Sequence, residues 1–218
     1  MEIKTYFVAF IDILGFKGIV EKERLTGYSG EQLNKLLECH LECETIFKEY
    51  GLDIIQFSDS IMISKIYERE SFHEFISSVS AYQKFLMRQG FLCRGGVAVN
   101  KHYSKSSFVF SPALIEAYKV ESEKAIYPRV VVSEDVIDLV FPDKNYPPTL
   151  CKEYDGLFFI NFLYGECIST IEEFVSSIVT DCLNSKNHSI IQKGIWLANY
   201  ADYVLNTEFS PQRFSAAS

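Results

Sequence analysis

FVAFIDILGFKG, residues 7–18, decides how this chain is read. Aromatic and β-branched residues dominate positions 5–14, the composition of a buried strand, and Gly15 and Gly18 mark an exit turn. Asp12 interrupts that run, flanked by Phe10, Ile11, Ile13, Leu14 and Phe16. An ionised carboxylate in such surroundings costs on the order of several kcal/mol unless something pairs with it. The identity of that partner is the question the sequence poses.

Outward from this strand, periodicity assigns most of the chain. Residues 30–50 read as a helix with Leu33, Leu36, Leu37, His40 and Phe47 on one face. LDIIQFSDSIMIS, residues 52–64, reads as two short strands around a tight SDS turn. A second helix covers 71–88, with Phe72, Phe75, Ile76 and Val79 on its apolar face, and FLCRGGVAV, 91–99, is a strand carrying a glycine pair. Ser111-Pro112 opens a helix to residue 124 as N-cap and first helical residue. RVVVS, 129–133, is a strand whose Ser133 caps the helix that follows, and a hairpin is expected around LFFINFL. Helices over about 169–184 and 187–206 follow, then a frayed tail. The order β-α-β-β-α-β matches the split βαβ of ferredoxin-like sheets. The expectation is therefore an α+β fold: a ferredoxin-like sheet with flanking helices and two C-terminal helices. It divides as a sheet domain over 1–165, a helical extension over 166–208 packed on the same domain, and a flexible tail over 209–218.

Bulk properties narrow the function. The 218 residues are 48% hydrophobic and 23% charged, enough for one large domain with a substantial core. A net charge of -8 argues against nonspecific nucleic-acid or membrane binding, which rests on an excess of Lys and Arg. It leaves room for a small anionic ligand held through a metal. The six cysteines form no CxxC pair and read as reduced core thiols. Residues 1–20 lack the pattern of a signal peptide, and no apolar run approaches membrane-spanning length, so the expected location is the cytoplasm.

Asp59, in QFSDSIM, is a second carboxylate among apolar strands. In a ferredoxin-like sheet the first strand lies beside the hairpin that carries Asp59, so the two carboxylates converge at one sheet end. Without a cation they repel, and one is forced to protonate. A divalent metal removes the conflict, and hard oxygen ligands suit Mg²⁺ or Mn²⁺. Paired metals are the usual tool for in-line phosphoryl chemistry. Taken singly, Asp12 also reads as a strand-end carboxylate capping N–H groups, and Asp59 as a turn aspartate. The joint placement favours the metal.

These motifs resemble those of the class III nucleotide cyclases. FVAFIDILGF is similar to their F-x-D-[IL]-x-G-F opening, QFSDSIMI to their second metal hairpin, CRGGVAV to their R-x-G-I-x-x-G strand, and EAYKVESEKAIYPRVVVS to their A-A-R-L-E helix and following strand. The resemblance covers roughly residues 5–135. It implies two Mn²⁺ or Mg²⁺ ions held by Asp12, Asp59 and the Ile13 carbonyl. The phosphates of a nucleoside triphosphate would lie at the turn of Leu14, Gly15, Phe16 and Lys17. Attack of the ribose 3′-hydroxyl on the α-phosphorus would release pyrophosphate. It also implies a homodimer with sites at the subunit interface.

Departures from the family pattern speak to the base. The adenine-reading Lys and Asp positions carry Ile55 and Phe108, with Phe57 beside the former. The transition-state Asn and Arg positions carry Ile115 and Lys119, so Lys119, Arg94 or Lys124 would supply charge instead. The pattern looks like the pyrimidine cyclases of bacterial Pycsar antiphage systems, which make cyclic UMP or cyclic CMP for a partner effector. UTP is the expected substrate and CTP the alternative. Other readings are an adenylate or guanylate cyclase, or a non-catalytic nucleotide-binding module. Lys17 reads equally as a phosphate contact or a solvated loop residue, and Arg94 as a phosphate contact or half of a salt bridge. Cys39, His40 and Cys43 have helical spacing that suits zinc, but they lack a fourth ligand and read as a helix face. Trp196 and Tyr200 read as packing, and Glu116 and Glu121 as surface or interface charges.

Overall fold

The computed structural model describes residues 2–106 and 108–212. The chain divides into two compact units, Met1–Phe162 and Leu163–Ser218. In the first, β1 (Lys4–Ile13) is followed by α1 (Phe16–Leu25), α2 (Glu31–Glu49), β2 (Asp53–Phe57) and β3 (Ser60–Ile66). Then come α3 (Phe72–Arg88), β4 (Cys93–Lys105), β5 (Phe108–Phe110), α4 (Pro112–Lys124), β6 (Val130–Val132), α5 (Glu134–Val140), β7 (Leu150–Lys152) and β8 (Phe158–Ile160). The strand order is β2-β3-β1-β4-β6-β8-β7, with β5 paired to the distal part of β4. The first four strands in that order are the expected ferredoxin-like core, with β1 antiparallel to both its neighbours, β3 and β4.

Two-residue alternation along β1 divides the core in two. Phe7, Ala9, Ile11 and Ile13 join Leu36, Phe47, Phe75, Val79 and Leu86 of α2 and α3 in the larger cluster. Val8 and Phe10 point the other way and pack with Met62, Ala98, Ala113 and Ala117 under α4. Asp12 is next in the second series. Its location under α4, rather than in the larger core, follows from strand geometry alone.

A glycine fixes how closely α4 approaches. A Cβ built on Gly96 would lie 2.2 Å from the Ala117 carbonyl oxygen and 2.7 Å from the Glu121 amide nitrogen. Helix backbone therefore rests directly on strand backbone. The start of α4 is held by Ser111, whose Oγ accepts from the Leu114 N–H at 2.9 Å and lies 2.8 Å from Nδ1 of the buried His102. Toward the β8-β7 end of the strand order the fully buried Arg129 bridges the β7–β8 hairpin, pairing Glu153 and Asp155 and donating to the Lys124 carbonyl at the end of α4.

The second unit is a pair of helices, α6 (Ile168–Leu183) and α7 (His188–Leu205). Gly194 makes room for Cys182, whose Cβ would be 2.4 Å from an added methyl. Trp196 and Tyr200 stack at 5.2 Å, and the Tyr200 hydroxyl accepts from the Leu163 N–H. Asp202 accepts from the amides of Phe209 and Ser210, which ties the chain through Ser210; of the expected frayed tail, residues 213–218 lie outside the described residues. Among the described residues no helix is long and apolar enough to cross a membrane.

Several sequence-based expectations need correction. The turn through Gly15 and Gly18 is a turn only at Gly15 (φ 77°), because α1 begins at Phe16 and runs through Gly18. Its sequence has a weak apolar face. It is held by Phe16 and Ile19 against the core and by Glu23, which accepts from the amides of Gly30 and Gln32. On α2 the buried face is Leu36, Cys39, Cys43 and Phe47, while Leu33 and Leu37 are exposed, since cysteines served as the small core residues. Strand β4 runs on to Lys105 and turns into β5, an extension hidden by the polar sequence NKHYSK. Cys167 is exposed rather than a core thiol.

Two substitutions test this packing. Gly96→Ala should cost about 1–3 kcal/mol or more by overpacking α4 against β4, measured by urea unfolding. Arg129→Met, which strands two carboxylates beside the sheet, should cost about 3–5 kcal/mol in the same assay.

Candidate active site

The β1–β3 and β1–β4 registers bring the candidate residues together. Asp12 lies opposite Ser60 on one side and Arg94 on the other. The Ile13 N–H donates to the Asp59 carbonyl at 3.0 Å, which fastens the β2–β3 turn to the end of β1. The Leu14 N–H donates to the Leu92 carbonyl at 2.8 Å and fixes the other flank. Asp12, Ile13, Asp59 and Arg94 thus form one cluster at one end of the central strands. Ile55 packs on the same sheet face, with Phe57 two residues on and exposed at the rim.

Arg94 is one partner of Asp12. Its Nε–H donates to Asp12 Oδ2 at 3.4 Å and lies 2.7 Å from Glu121 Oε1, and Nη1 donates to the Ala125 carbonyl at 3.5 Å. The Asp12 and Glu121 side chains are 23% and 3% exposed, so one guanidinium serves two carboxylates largely withdrawn from water. Glu121 Oε1 is buried and its contact with Nε is off the hydrogen-bond axis, so that oxygen has a charge neighbour but no donor aimed at it. Burial holds the Asp12 carboxyl above its ordinary range, Arg94 opposes this, and the nearby Asp59 charge adds to it. Glu121 is raised for the same leading reason, opposed by Arg94 and reinforced by Asp12.

Glu121 is not a surface or interface charge, as its sequence context suggested. It continues the series Ala113, Ala117, Glu121 at four-residue spacing, the seam of α4 that lies on the sheet, and that periodicity was the available signal. Lys119 is about 200° around the helix from Glu121. It lines a different cleft of about 250 Å³ with Ala98, Glu116, Lys124, Ser133 and others. Phe108 is exposed on β5, with its ring 6.3 Å from Tyr103, and Ile115 is exposed on α4. Within one chain the structure does not bring Lys119 or Phe108 to Asp12. Glu116 accepts from Asn100 Nδ2 at 2.6 Å, and Cys39 and Cys43 are core thiols, with burial pushing Cys39 up to about 11.

The turn after Asp12 suits an anion. Gly15 takes the left-handed conformation at the start of α1, and the first internal bond there is from the Gly18 N–H to the Gly15 carbonyl. The amides of Phe16 and Lys17 precede it, the first turn holds no acidic residue, and Lys17 is exposed beside it.

No protein-family model matches the sequence, and no curated protein does. Solved structures do match in fold. The adenylyl cyclase CyaB from P. aeruginosa aligns at 15% identity with a TM-score of 0.54, over 73% of this chain and 94% of that one. The fold is that of class III nucleotide cyclases. The monomeric guanylyl cyclase domain of the RhoGC fusion protein from the aquatic fungus Blastocladiella emersonii gives 14% identity and 0.53, over 73% and 96%. The catalytic core of a rhodopsin-guanylyl cyclase with converted specificity, in complex with ATPalphaS, gives 14% and 0.51, over the same shares.

On this cyclase fold the residues fit a divalent cation. Asp12 and Asp59 supply hard oxygen donors, and the raised proton affinity of Asp12 is relieved by positive charge. Among the described residues no three His, Cys, Asp or Glu side chains converge as a complete ligand set, so a cation here would also use backbone, water or substrate oxygens.

The sign of the Asp12 shift gives a test. A carboxyl raised in the folded state stabilises below its unfolded value, near 3.8, and loses that contribution as the pH rises through the folded one. In chelator, Asp12→Asn should therefore melt higher than the natural protein at pH 7.5, with the gap closing as the pH is lowered toward 3.8. A lower melting temperature for Asp12→Asn at pH 7.5 would contradict this placement.

Proposed function

We propose that the protein is a metal-dependent nucleotide cyclase acting on a pyrimidine nucleoside triphosphate, with UTP preferred and cyclic UMP and pyrophosphate as products. The observation that carries the reading is the convergence of Asp12 and Asp59 at one sheet end, fastened by the Ile13-to-Asp59 backbone bond. Divalent cations bound there would supply Lewis acidity and neutralise charge on the reacting phosphates. Asp12, Asp59 and the Ile13 carbonyl would hold two Mn²⁺ or Mg²⁺ ions. The Leu14–Lys17 turn would orient the triphosphate through the amides of Phe16 and Lys17, and Arg94 would add positive charge on the same face. The ribose 3′-oxygen gives up its proton to solvent and forms the new bond to the α-phosphorus, while the bond from the α-phosphorus to the bridging oxygen breaks and pyrophosphate leaves.

Apolar Ile55, Phe57 and Phe108 support a pyrimidine over a purine, because they offer no partner to a purine's polar edge. The resemblance in the FIDILGFK and FSDS motifs supports the same choice and a role as messenger synthase for an effector in antiphage defence. A second copy is part of the reading. Phe108, Phe110, Ile115 and Tyr118 leave exposed apolar surface around α4, and Lys119 faces away from its own Asp12. In a homodimer, Lys119 and Phe108 of one protomer would complete the site of the other.

The test is turnover of each ribonucleoside triphosphate with Mn²⁺, with products resolved by chromatography. Each unsatisfied polar group on a buried purine edge costs about 1–3 kcal/mol, so UTP and then CTP should exceed ATP and GTP by about 5- to 150-fold. Asp59→Asn should lower turnover by about a thousandfold or more. Dominant cyclic AMP or cyclic GMP would overturn the pyrimidine reading, and no cyclic product from any nucleotide would overturn the cyclase itself.

A further inference from the structure

We infer that Glu121 is a positioning residue for Arg94: it receives the guanidinium that Asp12 releases when a cation enters, so the Asp12–Arg94–Glu121 contact is a latch on the metal site. This rests on the proposal that Asp12 and Asp59 bind divalent cations.

The geometry is specific. Arg94 Nε–H is directed at Asp12 Oδ2 at 3.4 Å, a long bond, while Glu121 Oε1 waits at 2.7 Å from the same nitrogen without a donor aligned on it. A buried acceptor with no aligned donor is an expensive feature unless another state uses it. A cation on Asp12 repels the guanidinium and takes its acceptor. A small rotation then aligns Nε–H with Glu121 Oε1, and the Ala125 carbonyl already holds Nη1 at 3.5 Å as a pivot. In the cation-free state the same Arg94 neutralises Asp12 and competes with the metal. Glu121 is rigidly placed for this, since Gly96 sets α4 backbone on β4 with the Glu121 amide nitrogen at the contact. Exchange of a charged partner between two carboxylates needs no folding change, and both Asp12 and Glu121 keep a cationic neighbour in either state.

The latch predicts opposite effects from its two halves. Binding of Mn²⁺ alone is followed by loss of the free-ion electron spin resonance signal, with Asp12→Asn as the baseline. Arg94→Met removes the competitor and should tighten Asp12-dependent Mn²⁺ binding about tenfold. Glu121→Gln removes the charged receiver, leaves Arg94 on Asp12, and should weaken it about tenfold. Near-ultraviolet circular dichroism confirms folding, and Arg94→Gln replaces Arg94→Met if the latter misfolds. A merely structural Glu121 would shift both variants in the same direction or neither, and that result overturns the latch. Natural protein that binds no more Mn²⁺ than Asp12→Asn would instead overturn the metal site, and the latch with it.

Discussion

Asp12 is a carboxylate on β1, an inner strand of the sheet, and most of the first unit is arranged around it. Its neighbours in the alternation, Val8 and Phe10, are packed under α4, so it has little access to solvent from above. Its strand neighbours place Arg94 on one side and the Asp59 turn on the other. Gly96 brings α4 close enough for Glu121 to reach the same guanidinium. The result is three carboxylates and one arginine in a partly dry space, an arrangement short of positive charge. The divalent cation proposed above would make up that deficit.

Much of this was legible in sequence. The strand with Asp12, the hairpin with Asp59, the glycine pair and the capped helices all follow local rules, and those rules agreed with one another. The ferredoxin-like order then put the two aspartates together. Where polar residues extend an element there is no local signal: NKHYSK continues β4, and FKGIVEKERL forms α1 although Gly15 precedes it and Gly18 lies within it. Tertiary contacts decide both cases. The cysteines of α2 were hard to place because a thiol buries as well as a leucine, which moved the true face by about a sixth of a turn, away from Leu33 and Leu37.

The site was legible in part. Asp12, Ile13, Asp59 and Arg94 come together in one chain, whereas Lys119 and Phe108 do not. Glu121 was overlooked because a glutamate near other charges, in VESEK, looks solvated. Only its place on the Ala113–Ala117 seam shows that it is inside. Lys119 and Phe108 lie on outward faces of the chain, and the proposed homodimer would bring them to the site of the second copy. Phe57 and Phe108, proposed to lie beside the base, are both exposed.

The central claim is that Asp12 and Asp59 hold divalent cations for nucleotide chemistry. Anomalous diffraction from crystals grown with Mn²⁺ and a UTP analogue lacking the 3′-hydroxyl tests it most directly. The account predicts manganese peaks within about 2.2 Å of carboxylate oxygens of both Asp12 and Asp59, beside the analogue's phosphates. A nucleotide bound elsewhere, or manganese absent from these two side chains while Arg94 stays on Asp12, would contradict it.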